Sequence, residues 1–273
     1  RLKTTANGKV LFNQEPWYIA YFNEKNRGAG QSYTVPKNIN LWQGSHESGT
    51  YGQLGLVLPV KDSPNRQKHE YRPNEDRLPI QDLVLNEGTN LTLVNMKVFS
   101  GVNIVVNQGA TLTVHDSSIY GKITVNGGRL RINYDPEGKM IGEFKKPTGE
   151  KVVSGSSIQG QIILNDDAVL EDSYIYSNTN NLTDAGRAIQ NTRPVVLVKG
   201  HAFIKGNVFV KGDESPTGNE ADGKPYRGQN AMTIDGGSLT VLDRSALYLY
   251  GGGTSATTSR GGHALTLAKD GKV

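Results

Sequence analysis

A six-residue block, apolar–variable–apolar and then a polar or glycine-rich corner, recurs in register down this chain of 273 residues. It first reads Leu83-Val84-Leu85-Asn86-Glu87-Gly88, and returns as Ile104-Val105-Val106-Asn107-Gln108-Gly109 and Ile123-Thr124-Val125-Asn126-Gly127-Gly128. Further copies open at Ile162, Val196 and Met232, and a last one, Leu265-Thr266-Leu267-Ala268-Lys269-Asp270, lies at the end of the sequence. Repetition in register is the mark of a solenoid, in which equivalent positions stack into columns. An unusual residue therefore matters most where its whole column agrees.

The repeat also indicates which solenoid. After each corner, apolar residues alternate again, as in Leu91/Leu93, Leu112/Val114, Leu130/Ile132 and Leu239/Val241. A third alternation closes each turn through Met96/Val98, Ile119, Ile158, Ile175, Val208/Val210 and Leu247/Leu249. Period-2 alternation over short stretches specifies strands. Three strands per coil predict an all-β fold, a parallel β-helix, whose hand is right by the rule for parallel crossovers. The block spacings of 21 and 19 residues fit bare coils, whereas 39, 34, 36 and 33 imply an insertion in each later coil. These insertions are expected as lateral loops at 134–152, 177–194, 212–230 and 251–263.

Residues 1–80 depart from the repeat. They are expected to form an N-terminal cap and first irregular coils, continuous with the coils of 81–273, because a solenoid must cover its open apolar end. Trp17-Tyr18-Ile19-Ala20-Tyr21 and Leu54-Gly55-Leu56-Val57-Leu58 read as strands of that cap, with a polar stretch over Lys61–Leu78. The sequence starts at Arg1 and stops inside a rung, which reads as a region of something longer. With no cysteine there are no disulfides or thiolate metal sites. No signal peptide or membrane span is evident. The 30 basic against 26 acidic residues favour an acidic partner, but no basic run or motif suits nucleic acid.

Two polar columns read as structural. Asn86, Asn107, Asn126 and Asn165 suit a left-handed corner, and stacked amides hydrogen-bond along an axis. Asp166-Asp167 with Glu171-Asp172 is dense enough to suggest Ca²⁺, yet strand neighbours face opposite ways, so these acids are not expected to converge. Neither a metal nor a cofactor is expected.

The third strand reads differently. Its outward positions become aromatic from the fourth coil on, in Tyr174/Tyr176, Phe209/Lys211 and Tyr248/Tyr250. Loops leaving three successive rungs at the same corner should stack into a lip beside that strip. They carry Arg187 and Arg193, then Lys224, Tyr226 and Arg227, then Arg260 and His263. Arg227-Gly228-Gln229-Asn230 and Arg260-Gly261-Gly262-His263 stand at the same distance before their next strands, which predicts two guanidinium groups one rung apart. Arginine grips carboxylates bidentately and tyrosine offers a rigid face to sugar rings. Arg187, Arg227, Arg260 and Lys211 are the candidate carboxylate contacts, and Tyr176, Tyr226, Tyr248 and Tyr250 the candidate platforms. The competing reading packs the tyrosines under their own loops and pairs the arginines with Asp184, Glu214, Glu220 or Asp222. A second basic set, Arg129 and Arg131 with Lys139, Lys145, Lys146 and Lys151, leaves from another corner and reads as a solvated loop.

Catalysis finds little support in the residues. Glycoside hydrolysis needs two carboxyls across the scissile bond, and the polygalacturonase pattern survives only as Asp166-Asp167 and partial echoes in Lys199-Gly200-His201 and Gly261-Gly262-His263. No Ser-His-Asp arrangement is identifiable among five scattered histidines.

With repeats, cap and lip in place, the chain resembles the binding region of serine-rich repeat adhesins of lactobacilli. The coils carry the resemblance, as in Asn90-Leu91-Thr92-Leu93-Val94-Asn95 and Ala110-Thr111-Leu112-Thr113-Val114-His115-Asp116-Ser117, over most of 52–273. It implies a pectin-lyase-like fold without lyase activity. It also implies a secreted, cell-wall location and a lectin-like attachment to host epithelial or mucus glycans, or to acidic polysaccharides such as polygalacturonate. The expected protein is a monomeric adhesin module that does not insert into membranes. Histidine changes charge near neutral pH, so protonation of His263, or of acidic residues near the lip, is expected to alter binding as pH falls. The alternatives are a lyase on a uronide polymer, with Arg187 or Arg227 as base, and a stalk that only spaces other domains. Autotransporter passengers and phage tailspikes share the architecture.

Overall fold

Each block pairs with the next because its apolar residues can be buried only in one register, and a slip of one residue would turn every one of them outward. In the computed structural model, Leu83, Ile104, Ile123, Ile162, Val196, Met232 and Leu265 lie opposite one another, strand to parallel strand. The structure describes residues 3–4, 10–11, 31–38, 40–43, 52–54, 58–59, 77–78, 80–98, 100–133, 156–179, 182–220, 223–254 and 260–273. The expected strand at Trp17–Tyr21, most of Lys61–Leu78 and the whole 134–152 loop with its four lysines lie outside them.

The fold is all-β, parallel and solenoid-like. One sheet holds eight strands, from Gln31–Thr34 through Ile80–Leu85 to Leu265–Ala268. The other, larger sheet carries the second and third alternations of each turn. The repeat extends below its first sequence copy, since Gln31–Thr34 pairs with the strand at Ile80, Leu41–Gln43 with Asn90–Val94, and Gly52–Leu54 with Met96–Val98. Between the sheets runs one core of aliphatic side chains, almost all fully buried. Leu265 and Leu267, in register with the buried Met232 and Ile234, remain 37% and 54% exposed on the last strand.

The expected three separate strands are present in most coils but not in all. The second and third alternations run together in Ala168–Ser177 and His201–Lys211, as single long strands. The break between them is one left-handed residue: Asn95, Asp116, Asn133, Asp172 and Gly206 all have positive φ. Asn, Asp and Gly are the residues that visit this conformation at least cost. A Cβ at Gly206 would also fall 1.9 Å from an Asp172 carboxylate oxygen, so that side chain would have to shift. Buried serines stitch the corners together: Ser117 and Ser173 accept from the backbone N–H of Met96 and Ile132, each at 3.0 Å.

The asparagine column is a ladder, as its spacing predicts. Asn107 donates to Asn86 at 2.8 Å, Asn126 to Asn107 at 3.4 Å and Asn165 to Asn126 at 3.0 Å. Its left-handed residues, however, are not the asparagines but the positions after them, Gly88, Gly109, Gly127, Asp166 and Asp167. Asparagine therefore serves for its amide and not for its φ. Asn107→Ala removes two rungs of the ladder and should cost about 1 kcal/mol. Thermal unfolding should report a fall of a few degrees with an unchanged circular dichroism spectrum; no shift would mean the ladder is idle.

Candidate functional site

The three lateral loops follow the strands Ala168–Ser177, His201–Lys211 and Ala246–Tyr250, which pair in parallel. They stack into a single lip. Glycine makes this possible, because the backbones touch: a Cβ on Gly212 or Gly262 would meet the Gln229 carbonyl oxygen at 2.1 Å, and one on Gly228 the Gly252 oxygen at 2.4 Å. Gly252 donates to Gln229 and accepts from Gly262, each at 2.8 Å. Arg227 and Arg260 form a parallel bridge, so the two arginines do lie in register on adjacent loops.

The first loop is not irregular as expected. It contains a helix, Asp184–Asn191, whose N-cap Thr183 accepts from Gly186 N–H at 3.2 Å. Thr-Asp followed by Ala, Arg, Ile and Gln was the signal for it. The Asn191 amide donates to the carbonyls of Glu214 and Arg227, both at 3.0 Å, and Asp184 accepts from Thr217. The helix thereby braces the second loop.

The lip sorts the predicted cations into two kinds. Arg187 donates from Nε to Thr179 and is paired with Asp213 at 3.5 Å. Arg260 donates twice to the Pro225 carbonyl and pairs with Glu220 at 3.2 Å. Both guanidinium groups hold loops together, in place of the open carboxylate contacts expected of them. Lys211 and Arg227 are exposed, as are Arg193 and Lys224, and His263 is exposed on the third loop. Tyr226 is half-buried, its ring against Gly218.

The strip of third-strand side chains forms two rows. Tyr176, Lys211 and Tyr250 are in register across three strands, and so are Tyr174, Phe209 and Tyr248. Neighbours in a row are about 4.8 Å apart, the ordinary strand spacing. Phe209 and Tyr248 stack at 4.3 Å with planes 11° apart. Tyr248 and Tyr250 are exposed, Tyr176 is partly covered and Tyr174 is buried. Burial pushes the Tyr174 phenol up to about 12, helped by the neighbouring Tyr176. Tyr174 is thus a neutral packing residue at any ordinary pH, and the accessible platform is Tyr176, Tyr248 and Tyr250.

The second face of the larger sheet holds a feature the sequence reading set aside as solvated. Arg131 donates to Glu171 Oε2 at 2.9 Å and 2.7 Å, Arg129 approaches the same oxygen at 3.3 Å, and Lys205 reaches Oε1 at 2.9 Å. Burial would raise the Glu171 carboxyl, but the Lys205 and Arg131 hydrogen bonds and the charges of Arg131 and Arg129 outweigh it and hold the group below the usual carboxylate range. The carboxylates of the fourth coil therefore do not converge. Asp167 bonds His201 Nδ1 at 2.8 Å, Asp172 accepts from Asn207 N–H at 3.1 Å, and Glu171 faces its three cations. Among the described residues no three acids or histidines gather as a metal site.

One contact has the outline of a catalytic triad. His201 touches Asp167 through Nδ1 and the Thr240 hydroxyl through Nε2 at 3.2 Å. Its carboxylate is 70% exposed, and the strand bearing Thr240 is paired residue by residue with His201–Ile204. The strand His201–Lys211 is paired on both sides, with Ala168–Ser177 and with Ser238–Val241. Among the described residues no helix is long and apolar enough to cross a membrane. Comparison of the chain with protein-family models, with curated proteins and with solved structures returned no match.

Proposed function

We propose that this chain is a non-catalytic attachment module that binds an acidic polysaccharide along the lip edge of a right-handed, three-sided parallel β-helix. The observation that carries the reading is the row Tyr176–Lys211–Tyr250, a cation between two tyrosines in strand register, beside the exposed Tyr248. Ring faces at a regular spacing suit sugar rings, and the central ammonium suits a carboxylate on one of them. Arg227 supplies a further exposed cation, while Arg187 and Arg260 position the loops around it. Through its coils the module resembles the serine-rich repeat adhesins, and on that likeness it is exported and displayed at a bacterial surface.

Three acids of the fourth coil, which a Ca²⁺-dependent lyase would need together, are engaged in different places: Asp167 with His201, Asp172 with the Asn207 N–H and Glu171 with its cations. Incubation with polygalacturonate, with and without Ca²⁺, separates the two activities. Retention on the polymer without a rise in ultraviolet absorbance is expected, and Tyr248→Ala/Tyr250→Ala should weaken it about tenfold. A steady absorbance rise would instead make the chain a lyase. Retention that is identical at pH 4 and pH 7 would remove the role assigned to His263.

A further inference from the structure

The outward face of the second alternation carries chemistry that the lip does not use. Its side chains form two files in strand register. Asn90, Thr111 and Arg129 make one file, and Thr92, Thr113 and Arg131 the other. Together they line a hollow of about 400 Å³, within the size range of small-ligand sites, roughly 300–1,000 Å³. Hydroxyls and an amide occupy one end and two guanidinium groups the other.

At the guanidinium end, among the described residues, three cations gather on one carboxylate. Glu171 is 6% exposed and gives one negative charge to three cations, Arg129, Arg131 and Lys205, which are 40%, 24% and 49% exposed. Arg129 meets the carboxylate through Nε alone, at 3.3 Å. A guanidinium carries five N–H donors in a planar fork, so the outer edge of Arg129 is presented to the hollow that it lines. Glu171 fixes the arginine heads in advance, which lowers the ordering cost of binding.

The opposite end asks for a different chemistry. Threonine hydroxyls both donate and accept. On adjacent strands they stand about 4.8 Å apart, and along one strand about 7 Å apart. Such a grid matches a ligand bearing several hydroxyls at sugar-ring spacing. Nothing aromatic lines the hollow, so recognition here is by hydrogen bonds and charge and not by stacking.

We infer that this hollow is a second binding site, for an acidic sugar unit whose anionic group sits on Arg129 and Arg131 and whose hydroxyls meet Thr92, Thr111 and Thr113. The inference borrows its ligand class from the acidic-glycan reading but not its place, which is a different face of the sheet stack. A polymer engaging both faces would gain avidity from the second contact.

The test is an NMR titration of the full chain with a galacturonate trimer, a sulfated disaccharide and a neutral galactose trimer. Amide shifts are expected along Asn90–Val94, Thr111–His115 and Arg129–Ile132 with the galacturonate trimer or the sulfated disaccharide. The neutral trimer should bind at least tenfold more weakly. Arg129→Gln should weaken the anionic ligand about tenfold, and Thr111→Val several-fold, while Tyr248→Ala/Tyr250→Ala leaves these shifts in place. Arg131 and Lys205 stay on Glu171 in the Arg129 variant, and Thr111→Val is close to isosteric, so either variant reads the site without unfolding it. Shifts confined to the lip would overturn the second site and leave the acidic-glycan reading standing. Equal affinity for the neutral trimer would overturn the anionic anchor. No shift with any of the three would overturn both.

Discussion

Gly252→Ala should loosen the lip and lower the melting temperature by roughly 10 °C, whereas alanine at the adjacent Gly253 should leave stability unchanged. A Cβ on Gly252 would lie 1.7 Å from the Asp213 carbonyl oxygen, 2.6 Å from its carbon and 2.8 Å from the Gln229 nitrogen. All three are backbone atoms of the neighbouring loop, so no side chain can swing aside. Nor can Gly252 retreat, because it is hydrogen-bonded to Gln229 on one side and to Gly262 on the other, at 2.8 Å each. Overpacking costs about 1–3 kcal/mol and each lost hydrogen bond about 1 kcal/mol, giving roughly 3–5 kcal/mol together. For a domain of this size each kcal/mol is worth about 2–4 °C. A Cβ on Gly253 meets only the Glu214 side chain, at 3.8 Å and beyond. Hydrogen exchange should show the loss first at the amides of Gln229 and Gly262. Equal melting temperatures for the two variants would mean that the loops are not locked through Gly252.

The contrast between these two glycines marks what a sequence can convey. The register of the eight-stranded sheet was legible because each block repeats the same inward pair, from Leu83/Leu85 to Leu265/Leu267, and burial tolerates only one alignment of them. The asparagine ladder was legible for the same reason, since a column of identical amides one rung apart has few other uses. The one-residue corners were present in the sequence as well, though less openly. Alternation skips a residue at Leu93–Met96, Val114–Ser117 and Leu170–Ser173, and each skip contains Asn95, Asp116 or Asp172. Nothing in one copy announces this; the three copies compared do.

Partners of charged residues were harder to read, for a physical reason. Whether Arg187 faces solvent or Asp213 depends on the path of two loops and a helix, and the two residues stand 26 apart in sequence. Arg260 did pair with one of the acids anticipated for it, Glu220, but only the backbone bridge to Arg227 and the fold of the second loop bring them together. The tyrosine row, by contrast, rests on strand register alone, so Tyr176, Lys211 and Tyr250 fell side by side as their positions required. Backbone register was predictable even for the loop residues Arg227 and Arg260, and side-chain partners were not.

The cluster at Glu171 is placed by paired strands and was still missed, and it leads to the second large effect. Arg129 and Arg131 were correctly seen to point outward, yet their partner lies 40 residues on from Arg131 and is reached only through the sheet. Glu171→Gln should destabilise the protein by about 2 kcal/mol at pH 7. That figure lies between an exposed pair, worth under about 1 kcal/mol, and a buried one, worth about 3–5 kcal/mol, because the carboxylate is buried while its cations are partly solvated. Its pH dependence follows from the direction of the shift. The folded carboxyl is held below its ordinary value, so the unfolded chain takes up the proton first as pH falls. The stabilisation is therefore complete above the ordinary carboxylate range and fades as pH drops through the lower, folded value. Urea unfolding of wild type and Glu171→Gln should show the full gap at pH 7 and pH 6, and a much smaller one near pH 3. A gap of the same size at both extremes would assign the loss to packing, and no gap at pH 7 would mean that the three cations are content with solvent.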